Sequence, residues 1–120
     1  MSFALKVAPR GKVALVCKSG LEETNTFFAQ GGVASVTNLL VDNFEKHIED
    51  TMIAGDFMSD RSAVEKVVRE APAQIEELIS WGVDFDKDEK GNFDLHKEGG
   101  HSESRILTIK TVPERRFKPA

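Results

Sequence analysis

The sequence predicts an α/β domain, and three observations carry that prediction. A short amphipathic helix over residues 2–9 runs into a continuously apolar stretch, KVALVC, at 12–17. Two further helical patterns lie between Asp42 and Trp81, and extended segments then flank a charged turn at 86–92. A helix feeding a buried strand is the order met at the end of a nucleotide-binding βαβ unit. No first strand and no glycine-rich phosphate loop come before it here.

Each element has its own signal. Phe3/Val7 and Ala4/Ala8 are i, i+4 pairs on one helix face, with alanines small enough for close approach to a sheet. Pro9 and Gly11 stop this helix. KVALVC lacks alternation, as a strand covered on both faces does. KSGLEETNTFFAQGGVASV follows, polar and glycine-bearing with a short apolar run at 33–36, and suits a binding loop more than scaffold. Asp42 with Glu45 forms a start like a capping box; Phe44, Ile48 and Met52 keep helical spacing, and Gly55 closes the element. From Asp60 to Trp81, Val64, Val67, Val68, Ile75, Leu78 and Ile79 are again at helical spacing. Pro72 is expected to split this stretch into two helices, standing in the first turn of the second, and Gly82 ends it. VDFDKDEKGNFDLHKEGGHS reads as extended segments round a turn. The final TIKTVPERRFKPA is basic, has two prolines and no periodicity.

Composition bounds the function classes. A length of 120 residues supports one modest domain, and 40% hydrophobic with 30% charged residues fits a globular protein. The net charge is −4 with scattered Lys and Arg, which argues against a nucleic-acid groove or a polybasic membrane patch. No apolar run approaches the length of a membrane span. Lys6, Arg10 and Lys12 interrupt what a signal peptide would need as its apolar region. The single cysteine, Cys17, has no internal disulfide partner and reads as an inert core thiol in a reducing compartment, the cytoplasm by default.

Four stretches are candidate sites. In DFDKDEKGNFD, counting from Asp86, Asp88 and Gly91 fall where a calcium loop wants them, but Lys90 and Lys97 occupy ligand positions, so a solvated hairpin turn is expected. His47, His96, His101 and Cys17 show no metal-ligand spacing; His47 reads as a helix-surface or packing residue. TNTFFAQGG at 24–32 combines hydroxyls, an amide and two glycines. It stands between a segment that wraps backbone N–H groups round a polar ring or phosphate and an ordinary turn. HKEGGHS at 96–102 sets Glu98 beside two glycines, room for a small charged ligand, although the residues alone favour a surface turn with a solvated glutamate.

Taken in order, CKSGLEETNTFFAQGGVASV, DNFEKHIEDTMIAGD, AVEKVVREAPAQIEELISWGVDFD and HKEGGHSESRIL resemble the succinate dehydrogenase/fumarate reductase flavoprotein superfamily, and within it most of all the L-aspartate oxidase family. The resemblance spans roughly residues 1–107. It implies an incomplete Rossmann-like FAD-binding domain lacking its first strand and glycine loop, running into the beginning of a substrate-covering region. The implied activity is FAD-dependent oxidation of L-aspartate to iminoaspartate in de novo NAD synthesis, with oxygen or fumarate as acceptor. Carried over by position, Lys18 resembles an FAD-contacting residue. Asn25, Thr26, Phe27, Phe28, Ala29, Gln30, Gly31 and Gly32 resemble the segment lining the flavin, and Glu98 the carboxylate that orients the substrate.

Two of these positions discriminate. Covalently flavinylated relatives carry a histidine where this chain has Asn25; an amide is no such nucleophile, so the flavin is expected to be non-covalent. Dicarboxylate-specific relatives carry an apolar aromatic residue where Glu98 stands. A carboxylate beside an ammonium makes a charge-assisted hydrogen bond, whereas beside a dianion it repels, so Glu98 favours aspartate over succinate. The family's downstream substrate-clamping arginines and acid/base histidine have no counterpart, so no catalytic base is assigned and the chain alone is expected to be an inactive truncated piece. The alternatives are a fumarate reductase-type fragment and a non-catalytic binding module or decayed product. Residues 108–120 depart from the family pattern. Their codons read one nucleotide earlier can spell His-His-Lys-Asp-Ser-Thr-Gly-Ala-Glu-Ile-Gln, so a frameshifted tail is expected.

Overall fold

The computed structural model of the chain describes residues 2–20, 23 and 32–109. It divides into two units, 1–30 and 31–120.

In the first unit α1 spans Ser2–Val7 and passes into a single 3-10 turn at Ala8–Arg10, with Pro9 supplying a helical φ where no N–H is needed. The stop at Pro9 and Gly11 is where the sequence puts it, but no residue of α1 is buried. KVALVC is not a strand: residues 12–17 have no regular structure, and Leu15 and Val16 are 51% and 95% exposed. Cys17 is likewise exposed, which corrects its reading as a core thiol. An apolar run becomes a strand only when neighbouring backbone takes up its N–H and C=O groups. None does so for 12–17 among the described residues.

The second unit is built on two helices and a small antiparallel ladder. Its elements are β1 (Val33–Ala34), α2 (Phe44–Ala54), α3 (Arg61–Ser80) and β2 (Ile106–Leu107). The N-cap of α2 is Asn43, whose side chain accepts from the Lys46 N–H at 2.9 Å. Asp42 is therefore not the cap, and its carboxylate serves elsewhere. Gly55 is the C-cap, as its position predicts. Asp60 caps α3 by accepting from the Ser62 and Ala63 N–H groups, after a turn in which Asp56 and Phe57 adopt φ of 49° and 56°.

Pro72 does not divide the long helix, which continues through it to Ser80. A mid-helix proline costs about 3 kcal/mol. Val68 and Ile75, buried one turn either side of it, anchor both halves in apolar clusters. One cluster joins Ile48 and Met52 of α2 to Val68, with Phe44 and Val64 against it. The other joins Ile75 to Phe85 and Leu107, with Leu78, Val83, Phe93 and Leu95 around them. Burying side chains of this size is worth roughly 1.5–3 kcal/mol each. On the outer face Arg69 reaches Glu65 one turn away and Glu45 on α2, and lies 5.6 Å over the Phe44 ring.

β1 runs antiparallel to β2, pairing Val33 with Leu107 and Ala34 with Ile106. His96 bridges to Ile106 from the other side, and Asp86 N–H donates to Thr108 O. Gly32 leads into β1 in close contact with β2. A Cβ there would run into Ile106 Cγ2 and come within 2.8 Å of Leu107 O, so only glycine lets the two strands meet. The 86–92 turn is a hairpin turn as expected: Lys87 bridges to Phe93, and Asp88 accepts from the Lys90 and Asn92 N–H groups.

Candidate functional site

The ladder throws out one loop, residues 97–104, between the His96 bridge and β2. Glu98 sits at its tip, where His101 N–H closes a turn onto Glu98 O at 3.2 Å and Gly100 takes φ 88°. The loop passes close to α2, with the position of a Cβ on Gly100 lying 3.5 Å from Ala54 Cβ. Glu98 is exposed, and among the described residues its carboxylate has neither an ion pair nor a hydrogen bond.

Beneath this tip lies a buried charged cluster. Arg105 is 0% exposed and makes a two-pronged pair with Asp42, Nε to Oδ2 at 2.8 Å and Nη2 to Oδ1 at 2.9 Å. Its Nη1 donates to Asp50 Oδ2 at 2.7 Å. That same oxygen accepts from the Ser102 N–H at 2.7 Å and the Ser102 hydroxyl at 2.8 Å. The turn that carries Glu98 is thus tied to α2 by charge-assisted bonds, the strong kind. Burial pushes the Asp50 carboxyl up, but the Ser102 bonds and the Arg105 guanidinium outweigh it and hold the group below its ordinary range. Lys46 adds a pair to Glu103 at 2.7 Å, and Lys97 donates to Ser102 O.

His47 of α2 and His101 of the loop meet edge to face beside this cluster, ring centroids 6.1 Å apart. The Nδ1 atoms of both are buried without a partner. Burial first, then the Arg105 cation and the His101 ring, lower the His47 pKa against the pull of Asp42 and Asp50. His47 is the packing residue that its helical position suggests. Among the described residues no three His, Cys, Asp or Glu side chains are placed to hold a metal ion.

The structure thus brings Glu98 onto a firm mount, while the rest of the sequence-predicted site is only partly visible. Lys18 is exposed on the irregular 12–20 stretch of the first unit. Asn25, Thr26, Phe27, Phe28, Ala29, Gln30 and Gly31 lie outside the described residues. Gly32 is described, and strand packing accounts for it. Sequence reasoning missed Asp42, Asp50, Ser102 and Arg105 as a unit. The available signal was Arg105 itself, a lone cation abutting the apolar Ile106–Leu107 pair, which requires buried anions to accompany it.

The chain belongs to the FAD binding domain family, whose model it matches over residues 1–119. FAD is the cofactor this membership indicates. The chain is 42% identical over all of its 120 residues to the chloroplastic L-aspartate oxidases of Arabidopsis thaliana and, as form 2-b, of Nicotiana tabacum, covering 18% of each. It is 41% identical over 107 residues to the L-aspartate oxidase of Acinetobacter baylyi, covering 20% of that protein. The chain therefore spans about a fifth of the length of these curated relatives. Among solved structures it is similar to Mycobacterium smegmatis Sdh1 in complex with UQ1, with a TM-score of 0.76 and 30% identity over 88% of this chain and 18% of that one. Escherichia coli quinol fumarate reductase FrdA gives a TM-score of 0.75 and 29% identity over 87% and 18%. No helix among the described residues is long and apolar enough to cross a membrane.

Proposed function

We propose that this chain carries the flavin-lining stretch and the ammonium-binding carboxylate of an FAD-dependent oxidation of L-aspartate to iminoaspartate. The observation that supports it most is Glu98, an uncommitted carboxylate on a turn that Asp50 and Arg105 hold in place. An amino acid offers the cation that such a group accepts, and a mounted acceptor orients it without losing loop entropy on binding. The chemistry supplied by a bound FAD would be acceptance of the two electrons that leave the substrate as its Cα–N bond becomes an imine. Lys18 and residues 25–32 are the positions assigned to hold that flavin, without a covalent bond because Asn25 offers no nucleophile. Oxygen or fumarate would reoxidise it, in a step of NAD synthesis and in a reducing, cytoplasmic setting. No acid/base group is assigned in this chain, so the chain alone is proposed not to turn over aspartate.

The test is Glu98→Gln in a full-length version. Removing a hydrogen bond to a charged group costs about 1.5–3 kcal/mol, so aspartate use should fall by roughly 10- to 150-fold while succinate suffers less. Equal loss for both refutes the assignment. A succinate- or fumarate-type activity is the second reading, favoured by the likeness to Sdh1 and FrdA. Asn25 and Glu98 argue against it, and the same variant separates the two. Flavin absorbance of the purified chain reads cofactor retention directly: a colourless protein would show that binding needs more than these residues.

A further inference from the structure

Glu98 is useful only while its turn stays docked, and the docking contacts are few and ionisable. Ser102 is the anchor on the loop side, and both its N–H and its hydroxyl converge on one oxygen of Asp50. His101, next to Ser102, packs on His47, which is 7% exposed and one helical turn before Asp50. The charged groups facing His47 are Arg105 from the chain entering β2, Asp42 just before α2 and Asp50 within it, with the His101 ring across from it and Asp60 of the α3 N-cap lining the same cavity. Arg105 takes both oxygens of Asp42 and shares Asp50 Oδ2 with Ser102, and neither carboxylate bonds a His47 nitrogen among the described residues. His47 also lines an open cavity of about 540 Å³ with Thr51, Val64 and Val68.

We propose that Asp50 and His47 together form a positioning device for Glu98, in which Asp50 grips the turn and a proton on His47 loosens it. With His47 neutral, the two rings pack edge to face and the Ser102–Asp50 bonds close. A proton on His47 places a second cation beside Arg105 in a buried site, with both Nδ1 atoms lacking an acceptor. The relief is for the 97–104 loop to lift, carrying His101 away and letting water reach the imidazolium. A neutral buried histidine stabilises its surroundings fully above the unfolded value of 6.5 and loses that contribution as pH falls from there through its depressed folded value. Asp50, held below its ordinary value of 3.8, stays ionised throughout that window and is not the group that titrates. The consequence for substrate rests on Glu98 having the role proposed above; the docking of the loop does not.

Hydrogen exchange of the 120-residue chain, corrected for intrinsic rates, separates the two. Protection of the Ser102 amide should fall at least about threefold between about pH 7.5 and pH 5, in step with titration of the His47 ring followed by NMR. In His47→Gln the pH dependence should vanish, and in Asp50→Asn protection should be low at every pH. A flat wild-type profile, or a midpoint for Ser102 different from that of the His47 ring, overturns the proposal even if His47→Gln does not fold. None of these readouts involves aspartate, so they stand or fall apart from Glu98→Gln.

Discussion

Two apolar runs of this chain meet opposite fates. Ile106 and Leu107 form a strand of two residues, yet they are 4% and 1% exposed. KVALVC is three times as long and as apolar, yet Val16 is 95% exposed and the run has no strand at all. Hydrophobicity is the same driving force in both. The difference is backbone partnership: β2 has β1 on one side and His96 on the other, so its peptide groups are satisfied as its side chains are buried. A second contrast lies just before β2. Arg105, a cation, is wholly buried because Asp42 and Asp50 meet it, while nearby apolar side chains such as Leu40, 96% exposed, stay in water.

The comparison predicts a graded series of effects on thermal or denaturant unfolding. Arg105→Ala is expected to be the most damaging, about 3–5 kcal/mol, because the buried Asp42 carboxylate is left without its cation and Asp50 keeps only its Ser102 bonds. A loss under about 1 kcal/mol would mean that the cluster is hydrated and contributes little. Leu107→Ala should cost about 2–5 kcal/mol through the cavity it leaves between Ile75 and Phe85. Val16→Ser, by contrast, should change stability by less than about 0.5 kcal/mol. A large loss there would show that KVALVC is buried in solution and would erase the contrast. Phe57→Gly should stabilise by roughly 0.5 kcal/mol, since φ of 56° suits glycine better than a bulky side chain.

The elements around the site were legible to different degrees. Helical spacing located α2 and α3, and glycines marked their ends, because a 3.6-residue period is a local property. The hairpin turn was legible because Lys90 and Lys97 excluded a caged cation. Pro72 misled, since a local cost of about 3 kcal/mol is outweighed by the burial of Val68 and Ile75. Asp42 misled as well: beside a helix start it reads as a cap, and its distant partner at position 105 is invisible to any local rule.

For the site, the EGGHS motif drew attention to Glu98, and residue chemistry is the ground on which a carboxylate there is proposed to favour a cationic substrate. The sequence by itself determined the helices, the turn glycines and the family to which the chain belongs, all of which are written in spacing and residue type. Only the tertiary structure decided which apolar run is buried and that Asp50, Ser102 and Arg105 converge under Glu98. Both depend on partners more than fifty residues apart, as the Asp50–Ser102 and Asp42–Arg105 bonds are. Contacts at that separation are set by how the chain closes on itself, which no local pattern encodes.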